Sequence, residues 1–332
     1  MITKIVGGIL LVIAIAIGWS WRSYQTAITE PIVTHKTFIK IDKGDSISKI
    51  ISKLQNQQIQ VDATWFKVLA YQQDADKKLK VGEYELKANL TAPQILALFI
   101  QGKTRQYSIT FPEGWTFKQI KQKISQHPDL KHTLDSMNDA EIMEKLKADK
   151  NHPEGLFFPD TYYFARNASD FSILKKSYQK MQRVLDEEWQ HKAQDLAVQD
   201  KYQALILASI VEKETAAPQE RPLIAGVFTQ RLKIGMMLQT DPTVIYGMGD
   251  SYRGNITRQA LHTPTPYNTY TIKGLPPTPI AMPAKEAIQA ALHPTKTDKL
   301  YFVAHGHDGT HVFSATLKAH NDAVQQYLRN SK

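Results

Sequence analysis

Ala204-Leu-Ile-Leu-Ala-Ser-Ile-Val211-Glu212-Lys-Glu214-Thr215 sets two glutamates directly behind an apolar helical run, where ionised carboxylates are poorly solvated. At about 100° per residue, Glu214 shares a helical face with Leu207, Ile210 and Val211. Glu212 points the other way, beside Leu205, Ala208 and Ser209. A carboxyl pressed against apolar side chains loses the hydration of its charge, so its pKa rises and it can hold a proton at neutral pH, as a general acid must. Glu214 is therefore the candidate acid. The competing reading leaves both glutamates solvated in the last helical turn.

Downstream, Pro218 ends that helix and Pro222 opens another, to Leu232. Gly235-Met-Met-Leu-Gln239-Thr240-Asp241-Pro-Thr243 then reads as an irregular segment whose polar side chains can hydrogen-bond hydroxyls and amides. Tyr267-Asn268-Thr-Tyr-Thr271 and Gly274-Leu-Pro-Pro277 repeat that character. Uncharged hydrogen-bonders and aromatics suit a polysaccharide better than a phosphate, which calls for arginines or a glycine-rich loop. A helix is expected over Ala284–Leu292 and a hairpin from Leu300–Ala304 to His311–Phe313 around Gly306-His-Asp308-Gly309. A last helix from about Leu317 carries Asn321, inward or outward.

Upstream, Phe171–Trp189 is a long amphipathic helix expected to pack across the glutamate-bearing one. In Glu154-Gly-Leu-Phe-Phe-Pro-Asp-Thr-Tyr-Tyr163 the aromatics either line a groove for sugar rings or fill the core. Lys131–Lys150 reads as a charged, helical, solvated connection. Arg105–Phe111 forms a strand that turns into a helix over Phe117–Ser125. Before these, strand Thr37–Ile41, helix Ile47–Gln55, helix Trp65–Tyr71, strand Val81–Leu86 and a helix from Thr91 to Ile100 make a small α+β module. Its Gly44-Asp45-Ser46-Ile47 opening resembles the start of a LysM glycan-binding repeat, although a turn followed by a helix cap accounts for the same residues.

The N-terminus is an unbroken apolar run, Ile5–Trp21, between Lys4 and Arg22, with Trp19 and Trp21 placed as an interfacial belt. An uncleaved anchor fits better than a signal peptide, because Ala14-Ile-Ala16 lies inside the apolar run and not after it. The short flank with Lys4 puts the N-terminus inside and the bulk of the chain outside. The 332 residues thus divide into an anchor (1–22), a polar linker (23–35), the LysM-like module (36–104) and a larger mixed α/β catalytic domain (105–332), of which 105–150 is a connecting strand and helix. The fold class is α+β.

Composition narrows the chemistry. With no cysteine, disulfide frameworks, thiolate zinc sites and cysteine nucleophiles are excluded. A net charge of +9 suits a polyanionic neighbour, but no basic helix interleaved with aromatics points to nucleic acid. His305, His307 and His311 flank a turn and need not converge, and no suitably spaced acid completes a zinc site, so no metal is expected. Ser209 lies mid-helix without the strained elbow a serine nucleophile uses.

Leu207-Ala-Ser-Ile-Val-Glu-Lys-Glu214-Thr215, Gln239-Thr-Asp-Pro-Thr-Val-Ile-Tyr-Gly247, Tyr267-Asn-Thr-Tyr-Thr271 with Gly274-Leu-Pro-Pro277, and Tyr301-Phe-Val with Asn321 together resemble the endolytic murein transglycosylases of the YceG-like family over nearly the whole chain. The resemblance departs from the family pattern at Pro277-Thr278-Pro279 and in the extra histidines of the hairpin. It implies a single-pass inner-membrane enzyme, cytoplasmic at its N-terminus and periplasmic in its catalytic domain. Such an enzyme cuts the β-1,4 bond from N-acetylmuramic acid to N-acetylglucosamine in nascent glycan strands, leaves a 1,6-anhydro end, and works near the peptidoglycan synthases without a cofactor. It makes Glu214 the catalytic residue, with Gln239, Thr240, Asp241, Tyr246, Tyr267, Asn268, Thr271 and Asn321 binding substrate. Two alternatives remain: a hydrolytic muramidase using Glu214 with Asp241, and a wall-binding scaffold without activity.

Overall fold

No proline occurs before Pro31, so the first helix outruns its apolar stretch: α1 spans Ile2–Thr29. Residues 23–29, expected to be linker, are helical. The computed structural model describes residues 2–305 and 309–330. The fold is mixed α+β, and the chain packs as two units. One runs to Tyr107 and takes in Tyr163–Asn167; the other comprises Ser108–Tyr162 and the chain from Ala168 onward.

In the first unit α1 is followed by β1 (Thr37–Ile41), α2 (Ile47–Asn56), α3 (Ala63–Gln72), α4 (Ala75–Lys78), β2 (Gly82–Leu86) and α5 (Ala92–Gln101). Strands β1 and β2 pair antiparallel, Thr37 opposite Leu86 through Ile41 opposite Gly82. Alternation puts Ile39 and Ile41 inward, onto Ile50, Leu54, Phe66, Tyr84, Ile95 and Phe99. The Gly44-Asp45-Ser46 stretch is a turn and a cap: Gly44 has φ +87°, and the Ser46 hydroxyl accepts the Lys49 N–H at 3.3 Å. At the end of α1, the Trp65 indole donates to Ser23 Oγ at 2.9 Å and the Tyr24 ring meets Trp65 edge-on. The helix is thus fastened to the unit that follows it. Lys4–Thr29 is long and apolar enough to cross a membrane.

The chain continues with β3 (Gln106–Thr110), α6 (Phe117–Ser125), α7 (Asp139–Leu146), β4 (Thr161–Ala165), α8 (Asp170–Gln190), α9 (Lys201–Glu214), α10 (Arg221–Lys233), α11 (Asp241–Met248), α12 (Arg258–His262), α13 (Lys285–Leu292), β5 (Tyr301–Ala304), β6 (His311–Ser314) and α14 (Leu317–Asn330). Strand β3 pairs with β4, and β5 with β6. Of the expected hairpin turn, residues 306–308 lie outside the described residues.

The organising element of the second unit is α9. Its Asp200 cap accepts the Gln203 N–H at 2.8 Å, and every residue from Ala204 to Val211 is buried. A helix that is apolar all round belongs in the interior. Helices α8, α10, α11 and α13 all pack on it. The closest partner is α13, whose Ala287, Ala290 and Ala291 are buried and leave room for close approach, rather than α8. Burial of each leucine or isoleucine of α9 stabilises the fold by roughly 1.5–3 kcal/mol.

Other expectations change too. Within residues 131–150 only α7 is helical, and Ile142 and Met143 are buried beneath it, so this segment is not a solvated spacer. Phe157, Phe158 and Tyr162 are core, and Thr161–Ala165 is a strand that the aromatic density concealed. The segment before Thr243 is irregular only to Thr240; Asp241-Pro242 opens α11. Helix α9 stops at Glu214, before Pro218, because Thr215 is extended and its hydroxyl accepts the Ala217 N–H.

Gly226 marks where α10 meets the chain after α13. A Cβ there would collide with the Thr295 carbonyl oxygen, while the Thr295 N–H donates to Pro222 O at 2.9 Å. Gly226→Ala is expected to lower the stability of the second unit by about 1–3 kcal/mol through overpacking, read as a lower urea midpoint at unchanged slope.

Candidate active site

Glu214 ends α9, where the helix dipole disfavours negative charge and the apolar interior removes water. Its side chain is half-buried and its Oε1 accepts a hydrogen bond from the Thr240 hydroxyl. Burial is the largest influence and raises the pKa. The Thr240 hydrogen bond opposes it, Asp241 adds to it, and His311 and Arg231 oppose it; the balance pushes the carboxyl up to about 7. The acid thus carries its proton over much of the neutral range.

Thr240 is itself held. Its N–H donates to Thr269 Oγ1 at 3.0 Å, and the Thr243 hydroxyl donates to Thr240 O at 2.7 Å. All three threonines are buried. Gln239 beside them is in the left-handed region at φ +48°, kept there by its N–H bond to Thr269 O. This backbone holds the Thr240 hydroxyl on the carboxyl.

A cavity of about 330 Å³ opens on Glu214. Gln239, Asp241 and Tyr270 line it, and the Tyr270 hydroxyl donates to Asp241 Oδ1 at 2.6 Å. The hairpin and α14 add Tyr301, Phe302, Leu317 and His320. Arg231 lies buried in the same wall: its Nε donates to Leu300 O and its Nη1 to Leu238 O, each at 2.6 Å, under the Tyr301 ring. The guanidinium ties the hairpin to the Gln239 segment and puts a fixed positive charge near the acid.

The neighbouring acid has different partners. Glu212 is also half-buried, but Arg221 donates to one oxygen at 3.0 Å and the Ala284 N–H to the other at 2.8 Å. Burial raises its pKa while these two donors oppose the shift. It brackets α9, α10 and the start of α13. Of the two glutamates, Glu214 alone faces the cavity.

The sequence-derived site residues therefore separate. Gln239, Thr240 and Asp241 gather around Glu214. Tyr246 instead bonds Glu154, a buried carboxyl that accepts the Tyr246 hydroxyl at 3.1 Å and the Phe117 N–H at 3.0 Å. Burial lifts Glu154 to about 7 as well, against the Phe117 and Tyr246 hydrogen bonds. Tyr246 packs edge-on to Tyr267, whose hydroxyl pairs with Thr278 Oγ1 at 2.9 Å. Asn268 is 1 % exposed and fully engaged, with Nδ2 reaching Ala260, Leu261 and Thr263 carbonyls and Oδ1 accepting the Tyr270 N–H. It braces the loop that presents Tyr270. The Thr271 hydroxyl donates to Asn268 O, and Asn321 is exposed on α14, one residue past the cavity-lining His320.

Arg231, Tyr270, Tyr301 and His320 were missed as site residues. A signal existed for two of them: an arginine within the apolar sequence of α10, and a histidine three residues after Leu317 on the same helical face. His311 is taken by Glu220, which accepts its N–H at 2.9 Å and meets Nδ1 at 2.7 Å, while His307 lies outside the described residues. Ser209 donates to Ile206 O and accepts the Ile280 N–H, a packing role.

Two outcomes are expected. Below about pH 4.5 Glu214 is protonated whether folded or unfolded. Between 4.5 and about 7 the unfolded chain releases a proton that the folded chain keeps, so stability falls as pH rises. Urea titrations at pH 5 and 8 should show Glu214→Gln gaining up to about 3 kcal/mol on the wild type across that interval. Asn268→Ala should cost about 2–4 kcal/mol at either pH by removing the buried amide that bonds three loop carbonyls and the Tyr270 N–H.

The sequence model of the YceG-like family matches residues 39–326. A Bacillus subtilis protein named endolytic murein transglycosylase is 32% identical over 92% of this chain and 89% of its own length. A Streptococcus pneumoniae protein of the same name is 27% identical over 89% of this chain and 58% of its own. A solved structure of a YceG-like protein from Listeria monocytogenes, 31% identical, superposes with a TM-score of 0.54 over 87% of this chain and 99% of that one. With its glutamate-bearing core helix and matched motifs, the chain belongs to the YceG-like family.

Proposed function

We propose that this protein is an endolytic peptidoglycan lytic transglycosylase, a carbon–oxygen lyase that cuts within glycan strands at the bond from N-acetylmuramic acid to N-acetylglucosamine. The observation that carries the reading is Glu214, a carboxyl holding its proton near neutral pH at the wall of a cavity lined by uncharged hydrogen-bonders and aromatics.

The chemistry follows from one group. Protonated Glu214 donates to the glycosidic oxygen as positive charge develops at the anomeric carbon. The carboxylate that remains is stabilised by the Thr240 hydroxyl already donating to it. It then takes the proton of the muramic sugar's own 6-hydroxyl as that oxygen closes on the anomeric carbon. One carbon–oxygen bond breaks, another forms, the proton returns to Glu214, and no water is consumed. Asp241 lines the same cavity and supports a second reading, in which it activates water and the enzyme is a muramidase.

The apolar α1 supports a single-pass anchor in the inner membrane, N-terminus in the cytoplasm and the enzyme in the periplasm. There it would end glycan growth beside the peptidoglycan synthases. The module over residues 36–104 would act as a LysM-like glycan grip and residues 105–332 as the catalytic domain.

Digestion of un-crosslinked glycan by the full chain in detergent tests this reading. The expected products end in residues lighter by one water than hydrolysis products, and Glu214→Gln should slow cutting by about 10²–10⁴-fold. Because the acid form does the work, the wild-type rate should fall as pH rises through about 7. Reducing ends would favour the muramidase, and full activity in Glu214→Gln would remove the enzyme reading altogether.

A further inference from the structure

The face of the first unit where α3 flanks α1 is not accounted for by catalysis. Helix α3 sends Phe66, Leu69 and Ala70 into the core, but Tyr71 is 87% exposed and Val68 and Trp65 are half-buried. Between α3 and α1 runs an apolar cleft of about 580 Å³, lined along α1 by Ile13, Ile17, Trp21 and Tyr24 and along α3 by Trp65 and Val68.

Position along α1 decides what fills it. The apolar run of α1 ends at Arg22, and Ile13 lies nine residues earlier, ~13 Å down the helix axis. In a helix that crosses a bilayer, Ile13 and Ile17 are surrounded by hydrocarbon. A cleft that opens on them is therefore reached by lipid. Trp19 and Trp21, 74% and 64% exposed, mark the interfacial level at which the Trp65 and Ser23 contact is made. Lys67, exposed beside Val68, can extend its ammonium to the headgroup phosphates.

We propose that α3 is a second membrane contact: the Val68 and Tyr71 face rests in the outer interfacial layer, with a phospholipid acyl chain in the cleft against α1. The unit that α1 enters is thereby held on the lipid surface instead of hanging from a tether. The inference rests on α1 being the anchor.

The absence of cysteine makes the test direct. The full chain carrying a single nitroxide-labelled cysteine, as Leu11→Cys, Val68→Cys, Tyr71→Cys or Lys43→Cys, is reconstituted into phosphatidylethanolamine and phosphatidylglycerol vesicles. Collision with oxygen and with a water-soluble nickel chelate is then read by power saturation. Labels at Val68 and Tyr71 should show oxygen-to-nickel ratios several-fold above that at Lys43, approaching Leu11. If Leu11 reads as lipid while Val68 and Tyr71 read as water, the α3 contact is wrong and the anchor stands. If Leu11 also reads as water, both fail. Low access to both reagents at Val68 would mean a second protein copy fills the cleft, which overturns the lipid assignment.

Discussion

A carboxylic acid at the end of a helix with no solvated side is the constraint on which the second unit depends. Helix α9 is surrounded by four others, so its last turn delivers Glu214 to a cavity wall from within the core. Loss of water at that point works against ionisation more strongly than the nearby Arg231 and His311 work for it. The buried threonines and the left-handed Gln239 backbone then hold the Thr240 hydroxyl on the carboxyl. A cation bonded in place of that hydroxyl would favour the carboxylate and work against the proton that the chemistry needs.

Glu212 illustrates the difference that partners make. It is two residues away and also half-buried, yet Arg221 and the Ala284 N–H occupy both of its oxygens. Burial raises the pKa of both; one faces a cavity with a single hydroxyl donating to it, while the other is engaged by a cation and an amide and acts as a bracket. Glu154 is intermediate, buried with two neutral donors, and is lifted to about 7 while it ties α6 to the Tyr246 helix.

Much of this was legible in the sequence because it depends on local order. The β1–β2 module, the cap at Ser46 and the amphipathic α8 follow from periodicity and turn chemistry. The helical-face argument for Glu214 is incomplete, since both faces of α9 are buried and the two acids differ instead in their partners and in which one faces the cavity. What periodicity does not carry is the partner across space. Nothing in Asn268 distinguishes a glycan ligand from a loop brace until three carbonyls are seen around it. Arg231 and His320 join the cavity only when the hairpin folds against α10, and Tyr246 leaves it because Glu154 is buried nearby. The α1 helix outran its hydropathy because only Pro31 stops it.

The direct measurement is the ionisation of Glu214 itself. Infrared difference spectra between wild type and Glu214→Gln, taken across pH, isolate the carboxylic C=O stretch of this one group. A protonated carbonyl band that persists at pH 6 and titrates with a midpoint near 7 is expected. A band already lost by pH 5.5, the behaviour of a solvated glutamate, would contradict the account.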